Sequence, residues 1–129
     1  MAHPNEDLLR KGYEAFSRGD MDTLRNTVFA DDITFHIPGK NQLAGDYVGK
    51  EKVFGFLGKV MELSGGSFRL EVHDVVANAE HAIGLTTHTG QREGRTANYH
   101  SVHVFHVRNG KLAELWESPD QPAFDSFWS

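Results

Sequence analysis

The first third of the chain places its apolar residues in helical steps. Leu8, Leu9, Tyr13 and Phe16 recur near a period of 3.6 and mark one buried stripe. The spacing predicts a helix over 5–18, with Asn5 as N-cap and Glu6 and Asp7 at the positive end of its dipole. Gly19 supplies a left-handed stop. Asp20 or Asp22 then caps a second, shorter helix whose apolar positions are Met21, Leu24, Val28 and Phe29. The pattern changes at ITFHIPG, residues 33–39, which is β-branched and aromatic and ends at Pro38-Gly39, a strand signature. GDYVG, residues 45–49, predicts a short strand or bridge between glycines. Helical spacing returns over 50–63, where Val53, Phe54, Phe56, Leu57, Val60 and Met61 form a broad apolar face. Gly55 and Gly58 weaken that helix by about 1 kcal/mol each, which points to a sheet approaching them closely.

From Gly65 onward the chain is β-rich, and the runs 67–78, 81–91, 97–108 and 111–118 read as strands. Ala79-Glu80, Gln91 to Arg95 and Asn109-Gly110 separate them. Asn-Gly is a type I′ hairpin signal, so the last two strands are antiparallel neighbours. The tail QPAFDSFW is either a short helix or an extended arm. The order α-α-β-α-β-β-β-β defines an α+β fold, with helices packed on one face of a curved antiparallel sheet. At 129 residues the chain is one domain, 1–129, able to bury a core without staples.

Composition narrows the function classes. A net charge of −5 with no Lys/Arg run argues against nucleic acid or an anionic membrane as the main partner. The absence of cysteine removes disulfides, zinc thiolates and a cysteine nucleophile, and fits a reducing cytoplasm. No signal-peptide h-region and no membrane-length apolar run are visible, so the expected location is cytoplasmic. Gly-rich nucleotide loops and Ser-nucleophile motifs are also absent.

Three phrases carry a family resemblance: AFSRGDMDTLRNTVFADDITFHIPG, GDYVGKEKVFGFL and HVFHVRNGKLAELWESPD. Together they resemble the SnoaL-like and ketosteroid-isomerase-like proteins of the nuclear transport factor 2-like, or cystatin-like, superfamily. The resemblance implies a cone: a curved sheet wrapped over three helices of the N-terminal half, around an apolar pocket. It also implies a homodimer through the outer sheet face. Members of that superfamily include isomerases, cyclases, hydrolases, dehydratases and non-enzymes, so the fold alone does not assign an activity. The ketosteroid-isomerase base position corresponds to Ile37, and the helical tyrosine position to Gly12, one residue or about 100° from Tyr13. Neither carries the isomerase chemistry. In SnoaL-type cyclases an acid/base Asp follows the last strand soon after a Trp, and Asp120 stands four residues past Trp116.

Candidate chemistry centres on His100, His103 and His106. Side chains alternate along a strand, so His103 faces opposite to the other two, while His100 and His106 stand about 20 Å apart. One strand therefore offers no facial metal triad, and no metal is expected. His103, mid-strand with Ser101, Phe105 and Val107 on its face, is the histidine chosen for the pocket. Asp120 is the candidate acid/base, with helix or turn capping as its other reading. Trp116 shares simple strand parity with Leu112 and reads as a pocket wall. Tyr13, Phe16, Ile37, Phe54, Leu57, Met61 and His88 are further pocket-lining candidates, and His36 is a weaker one at the cone mouth. Glu117 and Asp125 read as solvated.

The expectation is a small-molecule pocket protein taking an apolar ligand or substrate, with no cofactor. As an enzyme it would be an isomerase or cyclase, with Asp120 moving a proton and His103 supporting a developing oxyanion. A non-catalytic, dimeric ligand-binding protein is one alternative. A hydrolase or dehydratase with a carboxylate–His pair is the other.

Overall fold

The computed structural model describes residues 3–129. Helix α1 runs Pro4–Arg18, α2 spans Met21–Thr23 and continues into a π-helical turn over Leu24–Val28, and α3 is Lys50–Leu63. Strands β1 (Phe29–Ile37), β2 (Gly45–Val48), β3 (Arg69–Ala77), β4 (His81–Arg92), β5 (Arg95–Arg108) and β6 (Lys111–Pro119) form one sheet. The tail closes as a helix, α4, over Gln121–Phe127.

Caps and breaks follow local chemistry. His3, not Asn5, caps α1: its ring nitrogen accepts from Asn5 N–H, and Pro4 takes the first turn, where its missing N–H costs nothing. Asn5 is instead buried and donates from Nδ2 to the carbonyls of Asn78 and Ala79, tying α1 to the β3–β4 turn. Gly19 adopts φ 71 and ends α1, and the Asp20 side chain accepts from Thr23 N–H. Phe29, read as helical from its spacing, opens β1 because the π-turn ends at Val28.

The strand order is β2-β1-β6-β5-β4-β3. All pairs are antiparallel except β1 with β6, which run parallel. The sheet is therefore mixed at that seam, because β1 must return through α3 and β3–β5 before its neighbour is made. Asn109 and Gly110 hold φ 53 and 73, the left-handed pair that a type I′ turn between β5 and β6 requires. Alternate residues of β4 and β5 are buried, so the sheet has one inner and one outer face. Helix α1 packs across β3 and β4, α3 against β1 and β2, and α4 against β5 and β6. Val53, Phe56 and Val60 put one side of α3 into the core. No helix among the described residues is long and apolar enough to cross a membrane.

Gly55 and Gly58 are not sites of close approach. A Cβ at either would meet nothing within 4 Å. The buried stripe of α3 lies on its other side, so these glycines only raise the entropy cost of the helix. Gly55→Ala should therefore stabilise the protein by about 0.5–1 kcal/mol. A higher urea midpoint at unchanged slope is the expected outcome, and an unchanged or lower midpoint would contradict it.

Candidate functional site

The inner face of the sheet carries a polar row inside an otherwise apolar cone. His88 comes from β4, Tyr99, Ser101 and His103 from β5, and Glu117 from β6, and Tyr13 reaches them from α1. With Phe16, Leu57, Phe68 and Phe105 among others, His88, Tyr99, His103, Glu117 and Tyr13 border an inner cavity of about 90 Å³. A wider outer space of about 710 Å³ adjoins it. Phe16, Leu57, Phe68 and Leu70 line both.

Glu117 is the centre of the row. Its side chain is only 6% exposed. His103 Nε2 contacts Glu117 Oε2, and Ser101 Oγ donates to the same oxygen at 2.8 Å. Both contacts land on Oε2, and Glu117 borders the inner cavity. Burial pushes the Glu117 carboxyl up; the charge and hydrogen bond of His103, with His88 and Ser101, outweigh it and hold the group below its ordinary range.

The hydrogen bonds assign the protons. An ionised Glu117 only accepts, so His103 Nε2 carries a hydrogen. His103 Nδ1 shares a hydrogen bond of 2.7 Å with the Tyr13 hydroxyl, accepting from its O–H when the ring is neutral. Burial, reinforced by the Glu117 charge, drives the Tyr13 phenol far above its usual range, so it stays a donor. A second chain runs beside the first. Trp128 Nε1–H donates to the Tyr99 oxygen at 3.0 Å, and Tyr99 O–H donates to His88 Nδ1 at 3.2 Å. Thr86 Oγ1 donates to the Ser101 carbonyl at 2.9 Å and accepts from His88 Nε2–H at 3.0 Å. His88 is thereby a neutral ring with both nitrogens engaged. Burial, opposed by Glu117 and aided by repulsion from His103, lowers it to about 4.

One glycine makes room for this. Gly84 pairs with His103 across β4 and β5, and a Cβ on it would overlap the Tyr13 phenol. The bare backbone lets Tyr13 lie over β4 and reach the imidazole.

His88, His103 and Glu117 also offer ligand atoms within 4.8 Å of one another. Two imidazoles and a carboxylate suit a divalent first-row metal. The triad comes from three strands, so reasoning along one strand did not reveal it. In the present arrangement His103 Nε2 bonds Glu117, and both nitrogens of His88 are hydrogen-bonded within the protein.

Of the residues expected to line the pocket, Tyr13, Phe16, Leu57, His88 and His103 border the inner cavity, and Phe54 and Met61 border the outer space. Ile37 is buried but borders neither. Asp120 does not meet His103: it is exposed, and its carboxylate caps α4 by accepting from Ala123 N–H. Trp116 lies on the outer face, 42% exposed, stacked on His36 with ring centroids 5.5 Å apart. His36 points away from the cavity, bonded to Asp46 and Glu114, which raise its pKa in the order Glu114, Asp46. Asp125, expected in solvent, is half-buried and accepts from Asn41 Nδ2, Lys40 N–H and Gln121 Nε2.

The exchange of Trp116 for Glu117 has one cause. A plain two-residue hairpin at Asn109-Gly110 pairs Arg108 with Lys111 and would set Trp116 opposite His103. The register shifts after Val107↔Leu112, and Ala113 becomes the extra residue of a bulge. Beyond it every β6 side chain changes face. Glu117 pairs with His103, and Trp116 turns outward. Nothing local in the residues around Ala113 announces the bulge. The available signal was the pairing of a lone apolar-flanked histidine with an acid one position away in register.

A model of the SnoaL-like domain matches residues 9–115. The uncharacterized protein Rv0034 of Mycobacterium tuberculosis is 30% identical over 125 residues, covering 95% of each chain. Bal32a, from a soil-derived mobile gene cassette, is 32% identical with a TM-score of 0.94, covering 99% of this chain and 98% of its own. A SnoaL-like polyketide cyclase from Jannaschia sp. CCS1, named putative, shares the fold at a TM-score of 0.81 and 15% identity, over 98% of this chain and 92% of its own.

Two outcomes test the site's construction. Gly84→Ala should cost roughly 1–3 kcal/mol by displacing Tyr13. Most of that cost should vanish in a Tyr13→Ala background, and additive urea-unfolding energies would sink the explanation. His88 gives the second. Between about pH 4 and 6.5 the native state binds fewer protons than the unfolded chain, so stability rises with pH across that window. The contribution amounts to about 3 kcal/mol and should disappear in His88→Gln, read as the difference in urea midpoint between the two proteins at each pH. His36 acts with the opposite sign, stabilising below its raised pKa, but is solvent-screened and common to both proteins.

Proposed function

The chain belongs to the SnoaL-like domain family, and we propose that it is a cofactor-independent acid/base enzyme for an enolizable, largely apolar substrate. The observation that carries this is an ionised carboxylate bordering an apolar cavity, met at one oxygen, Oε2, by both an imidazole and a hydroxyl. Low-dielectric walls strengthen each interaction with that charge. In this reading Glu117, not Asp120, is the general base.

Glu117 Oε1 takes a proton from a carbon beside a substrate carbonyl. The electron pair of that C–H bond moves into the carbonyl and leaves an enolate. His103 Nε2–H holds the carboxylate in place, and Tyr13, protonated throughout, supplies hydrogen-bond donation through the same ring. The proton returns to a different carbon in an isomerase; in a cyclase the enolate carbon attacks a second carbonyl, whose π pair moves to its oxygen, and that oxygen takes the proton back from Glu117. His88 stays neutral beside this pair, its ring centroid 5.3 Å from that of His103. The cyclase fold of the Jannaschia protein is compatible with either outcome.

Proton abstraction is testable before the substrate is known. Cyclic ketones such as 1-tetralone and 1-indanone are incubated with the protein in D2O, and loss of the α-proton signal is followed by NMR. Wild type should exceed the buffer rate, Glu117→Gln should lose about 10²- to 10⁴-fold of that excess, and Asp120→Asn should retain it. Equal exchange by wild type and Glu117→Gln would remove Glu117 from the role. Saturable binding of the ketones without exchange would make the protein a binding module.

A further inference from the structure

We infer that the substrate carries an anionic group, held at the mouth of the cone while its reacting end enters the inner cavity. This rests on the inner cavity being the substrate site. A space of about 90 Å³ admits one end of a molecule, and the adjoining 710 Å³ must hold the remainder.

The charge of that outer space is one-sided. Arg18, Arg25 and Arg69 line it, and no Asp or Glu does, in a chain whose net charge is −5. The three cations differ in what already occupies them. Arg18 pairs with Glu14 at 2.8 Å and Asp20 at 3.5 Å. Arg25 pairs with Glu51, which is 85% exposed, and its guanidinium lies 4.4 Å over the Phe54 ring. Arg69 has no acidic partner among the described residues. Its Nη1 donates at 2.8 Å to the carbonyls of Gly66 and Phe68. Those two bonds orient the guanidinium without neutralising it, and Nη2 and Nε keep their donors. A pre-oriented guanidinium beside an apolar wall of Phe16, Phe54, Leu57 and Met61 suits a carboxylate or sulfonate joined to a ring system. Arg25 supplies a second positive charge, already stacked and needing only to exchange a solvated glutamate. The same mouth would also oppose the repulsion between an incoming anion and Glu117.

Two dyes of matched aromatic size separate charge from apolar fit: anionic 8-anilinonaphthalene-1-sulfonate and neutral N-phenyl-1-naphthylamine. Fluorescence titration of the folded protein should show the sulfonate binding about tenfold tighter at low salt. Arg69→Gln should weaken the sulfonate about tenfold and leave the neutral dye unchanged, and Arg69→Lys should restore part of the loss. Thermal unfolding confirms that each variant is folded, since Arg69 is exposed. Equal affinities for the two dyes, or a sulfonate affinity indifferent to Arg69→Gln, would overturn the anionic mouth. That result is independent of Glu117: failed ketone exchange with intact charge discrimination overturns the catalytic reading alone.

Discussion

The contact between Glu117 and His103 is the constraint around which the interior is built. A carboxylate kept ionised under apolar walls costs several kcal/mol unless its charge and lone pairs are met. Here β5 supplies both answers, the imidazole of His103 and the hydroxyl of Ser101. His103 must then present its Nε2–H, and Tyr13 holds the other nitrogen. Tyr13 can do so only because β4 has no side chain at Gly84. Four elements are thus committed by one ionised group.

The second histidine shows how the same interior keeps two imidazoles distinct. His88 lies deeper in bonds to Thr86 and Tyr99, and Tyr99 is held by Trp128, just past the end of α4. Trp128 is 1% exposed and packs against Phe124, Phe127 and Phe68. The last helix therefore closes the cone and also sets the proton on a ring two strands away from Glu117. No buried side-chain polar atom among the described residues lacks a partner, the condition under which such a network rigidifies a core instead of weakening it.

Much of the fold was legible in the chain. Helical spacing located α1 and α3, alternation and turn residues located β3 to β6, and Asn109-Gly110 located the final hairpin, because period and backbone chirality are local properties. Local alternation also put His103 on a face apart from His100 and His106. The reading failed where partners come from distant elements. The glycines of α3 looked like contact points and face open space. Of the two readings of Asp120, acid/base or cap, the capping one is seen: its carboxylate accepts from Ala123 N–H.

By itself the sequence determined α1, α3, strands β3 to β6, the hairpin connection and which histidine stands alone on its strand face. Tertiary structure decided which acid meets that histidine. Side-chain direction on a strand has a period of two, so one additional residue reverses every position after it. The bulge at Ala113 is that residue. It turns Trp116 to the outer face and Glu117 to His103, and the pairing of two strands, not any residue preference along one of them, sets its place.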